Sequence, residues 1–413
     1  MLFTLSSSIA TSKIFFSYSG IEGYALSSIY LSFSMLMPFV TFGIGAVATN
    51  LIAANVTTNR LAEIESKLIA LFRLFLISSC FLILLCILFF KFSLWGLLLS
   101  KDIMSLPFSN LGLTLALILF CLTIPLTLAQ SVLLANRKSH LIVAWQGLAG
   151  PAGLIIVWFS HKMHFASSFV ALGPVAGNTI VAVFIWTTAV RLFPESSIVI
   201  ARKSLNFKKF PGSSIRSMLG PMSIIVISLS LALQADRFIL ARFSSTLDFA
   251  LYSLTAQLLS PTLSVMGVWA TSLWPILIRT RSEGTPSFSL LKRFIIILSC
   301  STVGMVLATF LISARLLQFV SSGTVMFQPE FYMLFSLVVL LQITHTIISY
   351  SLTTETDLRF QARNIGLMSL LNFLFSIIFT RAFGAYGPLF ATLVTLLPMV
   401  IVPNLIRAKR VLA

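Results

Sequence analysis

The chain predicts an all-α polytopic membrane protein, and three observations carry that reading. Of its 413 residues, 58% are hydrophobic and 9% charged, with a mean hydropathy of +1.01. That is more apolar surface than a water-soluble domain of this size keeps from solvent. The apolar stretches run for about twenty residues, the length at which a helix crosses the hydrocarbon core. They lack the residue-by-residue alternation of barrel strands, and in lipid only helices or a closed barrel satisfy every backbone polar group.

Walking the chain with that ruler gives about twelve transmembrane helices. The first six lie near Leu2–Ser17, Tyr24–Thr49, Leu68–Phe90, Phe108–Ala135, Leu141–Ser160 and Phe165–Val190. The second six lie near Ser217–Ala241, Phe249–Leu277, Phe294–Ala314, Phe331–Thr354, Gly366–Phe383 and Pro388–Ile406. Between them, Arg191 to Arg216 is polar and basic: Arg191, Arg202, Lys203, Lys208, Lys209 and Arg216 face a single acid, Glu195. Pro194, Pro211 and Gly212 disfavour one continuous helix there. The expected organisation is therefore a six-helix lobe at 1–190, a basic cytoplasmic linker at 191–216, and a six-helix lobe at 217–413 with a short basic tail.

Orientation follows from the cations. Of the 28 Lys and Arg, nineteen fall on the side that holds the linker, eight on the other, and Arg73 inside a span. Basic loops resist translocation, so the richer side is cytoplasmic and an even span count places both termini there. The opposite connections are short, the longest being roughly Lys91 to Pro107. Met1 opens directly onto apolar residues without a basic leader, so the first helix is expected to be retained, although it has barely enough residues to cross.

The halves resemble each other. Tyr24-Ala25-Leu26 opens span two and Phe249-Ala250-Leu251 opens span eight; Arg73 is matched by Arg293, and Gly173-Pro174 by Gly387-Pro388. A duplication of this kind gives two lobes related by a pseudo-two-fold along the membrane normal, with a substrate site between them near the midplane.

Several function classes are excluded. The net charge of +17 is spread over short connections and not gathered into one basic surface, so no nucleic acid partner is expected. Cys80, Cys86, Cys121 and Cys300 lie in apolar runs without ligand spacing, which indicates neither a metal site nor a disulfide framework. No catalytic or nucleotide motif is present, so neither an enzyme nor a cofactor is expected. Gly43-Ile44-Gly45 with Ala48 reads as helix packing by small residues, and Gly147, Gly150 and Gly153 with Pro151 in span five and Gly173 and Gly177 in span six likewise suggest close or kinked helices.

Ionisable groups inside spans are costly, which makes each a candidate for a substrate pathway. Lys13 and Arg73 either line such a path or reach the interface along their stems. Asp236 and Arg237 are adjacent near the end of span seven, so they point apart and take separate partners, Asp236 either inward or as a plain external cap. His345 is either a ligand group or a helix-packing group. Asn50, Asn178, Gln234, Gln257 and Asn372 complete the set, with Gln130 and Gln342, because hydrocarbon penalises amides that meet neither another helix nor a wet cavity.

Asp236-Arg237-Phe238-Ile239-Leu240 followed by Phe249-Ala250-Leu251-Tyr252-Ser253, the Gly20 to Leu26 turn before Tyr30, and Gly384-Ala385-Tyr386-Gly387 carry a resemblance. Together with the twelve-span plan they resemble the polysaccharide transporters, O-antigen flippases above all, of the multidrug/oligosaccharidyl-lipid/polysaccharide exporter superfamily. The resemblance implies a bacterial inner-membrane flippase that moves an undecaprenyl-diphosphate-linked oligosaccharide outward by alternating access, among membrane lipids and other polysaccharide-assembly proteins. The mostly cationic span charges suit an anionic diphosphate, and the membrane potential favours outward movement of negative charge by about 2.3 kcal/mol per charge per 100 mV. Two rivals stand beside it. A cation-coupled multidrug exporter of the same superfamily would be expected to keep acids in its helices, and a membrane-embedded O-antigen polymerase would carry a large external loop.

Overall fold

The computed structural model describes residues 2–35, 45, 48, 61–136, 138–193, 216–282, 288–352 and 354–412. Among them every regular element is helical. Eight helical stretches are long and apolar enough to cross a membrane, from Leu68–Lys91 to Thr356–Leu412. The last of these, 57 residues long, takes in expected spans eleven and twelve together. Most of the Arg191 to Arg216 stretch and the candidate Asn50 lie outside the described residues. By internal contacts the chain divides into two compact units, Met1–Ser230 and Leu231–Ala413, a division that falls within the Arg216–Phe243 helix.

The first unit contains α1 (Leu2–Met35), α2 (Leu61–Lys91), α3 (Ser109–Ala135), α4 (Ser139–Gly147), α5 (Ala149–Lys162) and α6 (Gly173–Leu192). α3 lies between α2 and α6, while α5 is covered by α6 on one side and α1 on another. The connection expected between spans one and two falls at Gly20, whose non-helical φ of 66° and ψ of −160° separates two helical segments of α1. That backbone region is open to glycine and strained for other residues. Expected span five is broken at Leu148, where α4 ends and α5 begins. Pro151 explains the break, because it has no N–H to return to the carbonyl of Gly147 one turn earlier.

The glycines of α5 and α6 meet as their spacing suggests. A Cβ on Gly177 would lie 2.5 Å from the Gly153 nitrogen, and one on Gly153 would lie 3.0 Å from Pro174 Cα. The two backbones are therefore in direct contact along this seam. Between α2 and α3, Trp95 fills the connection: it is 3% exposed, packs beside Phe33 and Phe89, and donates its indole N–H to Thr114 Oγ1 at 3.2 Å.

The second unit holds the end of α7 (Arg216–Phe243), then α8 (Thr246–Ser282), α9 (Phe288–Ser321), α10 (Pro329–Tyr350), α11 (Glu355–Phe383), α12 (Gly387–Leu396) and α13 (Val402–Leu412). Helices α8, α9 and α10 pack on one another, and α12 folds back along α11. The fold-back is made by the 3-10 turn Gly384–Tyr386. Gly384 has φ 56° and ψ −128°, and a Cβ there would lie 2.7 Å from Asp248 Oδ2. The Asp248 and Gly384 motifs, 136 positions apart in sequence, are thus one corner of the unit. A π-turn at Leu397–Ile401, containing Pro398, leads into α13. Arg407 of α13 then donates from Nε to Oδ1 of the fully buried Asp357 at 3.0 Å.

Candidate functional site

Among the described residues, each unit holds a polar site inside its helices. The first is a cavity of about 430 Å³ in the first unit, walled by α1, α3, α4, α5 and α6. Its polar lining comes from Ser34, Thr123, Thr127, Gln130, Gln146, Asn178 and Thr179, and its apolar lining includes Phe120, Val175 and Ile185. None of the described residues that line it is ionisable.

Each helix presents its polar groups for a local reason. α4 docks on α6 through Trp145, which stacks on Phe184 at 4.9 Å and donates to Thr188 Oγ1 at 3.0 Å. This contact places the next residue, Gln146, at the cavity. Ala129, Leu133, Ile142, Val181, Ile185 and Ala189 form the core cluster beside it, so Gln130 sits at the border between core and cavity. Asn178 follows Gly177 directly, and the close α5–α6 seam therefore sets its position. The threonine hydroxyls donate within their own helices, Thr123 to Phe120 O at 2.6 Å, Thr127 to Ile124 O at 2.6 Å and Thr179 to Val175 O at 3.0 Å. Their oxygens keep lone pairs for a ligand.

The second site is a buried carboxylate in the second unit. Asp236 is 4% exposed; its Oδ2 accepts from the Tyr252 hydroxyl at 3.0 Å and its Oδ1 from the Ser376 hydroxyl at 3.3 Å. One turn away on each helix, Asn372 bridges α7 to α12. With its amide oriented by its partners, it donates to Ala232 O at 3.0 Å and accepts from the Thr392 hydroxyl and N–H at 3.2 Å each. Tyr252 is held by aromatic contacts with Phe331 and Phe335.

The candidates read from sequence are distributed as follows. Asp236 faces inward, and the structure brings it together with Asn372 on the facing sides of α7 and α11. Asn178 joins Gln130 in the cavity of the first unit. Arg73 is buried on α2 and Lys13 is half-buried on α1, and neither lines that cavity. Arg237, Gln234 and Gln257 are half-buried. His345 is buried on α10 with Nδ1 3.3 Å from Ser349 Oγ of its own helix, the packing arrangement. Sequence reasoning missed Gln146, Tyr252 and Ser376. Gln146 carries the same signal as the other span amides; Tyr252 stands out only as part of the Phe249–Ser253 motif and Ser376 not at all, because a single hydroxyl in a span bonds its own helix as readily as a neighbour.

No protein-family model matches the sequence, and neither does any curated protein. Solved structures do. A multidrug resistance MATE family transporter of the MOP superfamily, in an inward-facing conformation, superposes with a TM-score of 0.70 at 13% identity, over 99% of this chain and 95% of that one. The lipid II flippase MurJ, in an inward closed conformation, gives 0.66 at 15% identity over 99% and 88%. A MOP superfamily transporter from Pyrococcus furiosus, described as having a binding pocket of reversed polarity and a different function, gives 0.59 at 11% identity over 99% and 96%. The chain therefore has the all-helical, multi-pass membrane fold that these MOP superfamily transporters share.

Proposed function

We propose that this protein is a flippase that carries a lipid-linked oligosaccharide, an O-antigen or related surface-polysaccharide repeat unit on an undecaprenyl diphosphate carrier, from the cytoplasmic to the periplasmic leaflet of a bacterial inner membrane. Twelve spans in two like-oriented six-helix lobes, with both termini cytoplasmic, alternate access to a path between the lobes. The observation that carries this reading is the cavity of the first unit, whose described lining offers amides and hydroxyls and no carboxylate to draw a cationic drug. The fold, shared with a lipid II flippase, and the sequence motifs of polysaccharide transporters support it. Lys13, Arg73 and Arg237 are the cations assigned to the diphosphate. A deletion strain is expected to accumulate lipid-linked repeat units on the cytoplasmic side and lose surface polysaccharide, and Lys13→Glu or Arg237→Glu to lower display. Normal display in the deletion strain would end this reading, and full display in both variants would remove its cationic part.

A second reading is favoured by one observation. Asp236 is a carboxylate buried in a span and held by two hydroxyls, the kind of group that a cation-coupled exporter of the same superfamily uses. Loss of drug resistance on deletion, abolished also by Asp236→Asn, with surface polysaccharide intact, would select it over the flippase.

A further inference from the structure

Resting on the flippase reading, we infer that the cavity of the first unit is a subsite for uncharged sugar, with Gln130, Gln146 and Asn178 as its specificity-determining residues. The carrier diphosphate is bound elsewhere. The argument begins with what the cavity lacks. A diphosphate needs Lys, Arg or several free backbone N–H groups, whereas no ionisable group among the described residues lines this wall.

Beside the Ser34 hydroxyl and the threonine lone pairs, the three amides bring the most donors and acceptors to this wall. None of them has a hydrogen-bond partner among the described residues, while the neighbouring threonine hydroxyls are already donated to helix carbonyls. Each amide offers two donors and a carbonyl acceptor. A sugar hydroxyl likewise donates and accepts, so amides satisfy it without regard to pH, and without the desolvation cost that a charged side chain pays in a membrane-embedded site. Gln130 on α3, Gln146 on α4 and Asn178 on α6 come from three helices, which spreads the donors around the ligand instead of along one line. The ring of Phe120 and the Val175 and Ile185 side chains supply an apolar surface for the C–H face of a pyranose. At about 430 Å³ the cavity falls within the roughly 300–1,000 Å³ of small-molecule sites.

The test uses the full-length protein in nanodiscs and two probe classes: short-chain prenyl diphosphates bearing glucose, galactose or N-acetylglucosamine, and the same prenyl diphosphate without sugar. Binding is read by calorimetry. At least one sugar-bearing probe is expected to bind about tenfold or more tightly than the bare diphosphate, since one satisfied buried polar pair is worth about a factor of ten. Asn178→Ala and Gln130→Ala are expected to erase that margin while leaving affinity for the bare diphosphate unchanged. Gln146→Leu, at an exposed position where folding is not at stake, is expected to reduce it. A margin that all three variants retain, or equal binding of both probe classes by the parent protein, overturns the subsite and leaves the flippase reading standing. Binding of neither class, with tight binding of the cationic dye rhodamine 6G, overturns both.

Discussion

The seam between α5 and α6 gives the sharpest test of the fold and of the cavity it builds. In a helix interior, Ala is ordinarily favoured over Gly by about 1 kcal/mol. At Gly177 the sign should reverse. The added Cβ would lie 2.5 Å from Gly153 N, 2.7 Å from Ala149 O and 2.8 Å from Gly153 Cα. All three are backbone atoms of α5, so no side chain can turn aside and the helices must separate. Overpacking costs about 1–3 kcal/mol. Contacts this short belong at or beyond the upper end, because separation also loosens Gly153 from Pro174 and Gly173 from Val157. After the propensity gain is subtracted, Gly177→Ala should destabilise by roughly 2 kcal/mol. At roughly 2–4 °C per kcal/mol for a unit of this size, the melting temperature falls by about 4–8 °C. Gly304→Ala is the control: it lies inside α9 with nothing within 4 Å of its Cβ position, and should melt at or slightly above the parent. Thermal unfolding followed by size-exclusion fluorescence in detergent compares the two. A Gly177→Ala protein as stable as the Gly304→Ala protein refutes the close seam, and with it the account of how Asn178 is positioned.

Three further outcomes follow from the second unit and the α4 dock. Tyr252→Phe leaves Asp236 Oδ2 without its buried donor and should cost about 1–3 kcal/mol, visible as a lowered melting temperature; an unchanged melt would show that the carboxylate has another donor. Arg407→Ala removes the guanidinium that reaches the fully buried Asp357, so α13 should undock and expose Lys409 and Arg410 to trypsin; a cleavage rate equal to the parent's would count against the ion pair as the latch. Trp145→Phe keeps the stacking on Phe184 but loses the bond to Thr188, a loss of about 1 kcal/mol that loosens α4; hydrogen exchange at residues 141–147 should rise, and exchange equal to the parent's would refute this dock.

What the sequence makes legible is what depends on periods and local chemistry. Twenty-residue apolar runs fall on helices wherever the chain is described, because lipid leaves the backbone no other solution. Pro151 and the glycines of spans five and six read correctly as a break and a close approach, because the cause sits at the residue itself. The connection at 18–23 is legible for the same reason, since Gly20 takes a positive φ that interrupts the helical φ/ψ of α1.

The sites were legible in proportion to how far their partners lie along the chain. An amide in a span announces itself through its cost in hydrocarbon, which is why Gln130, Asn178 and Asn372 stand out one by one. Their assembly does not. Asp236 takes its donors from positions 16 and 140 residues away, and Asn372 closes on Thr392 only because Gly384 turns the chain back on itself. Charge is less local: Lys13, Arg73 and Arg237 stand out in sequence for their cost in a span, but none of them is among the residues lining the cavity of the first unit. A cation in a span can be accommodated by reaching toward water or by a partner elsewhere, whereas a shorter amide must meet another helix or a wet cavity close to where it stands. In a chain of this composition, neutral polar side chains therefore mark a cavity wall more faithfully than charged ones do.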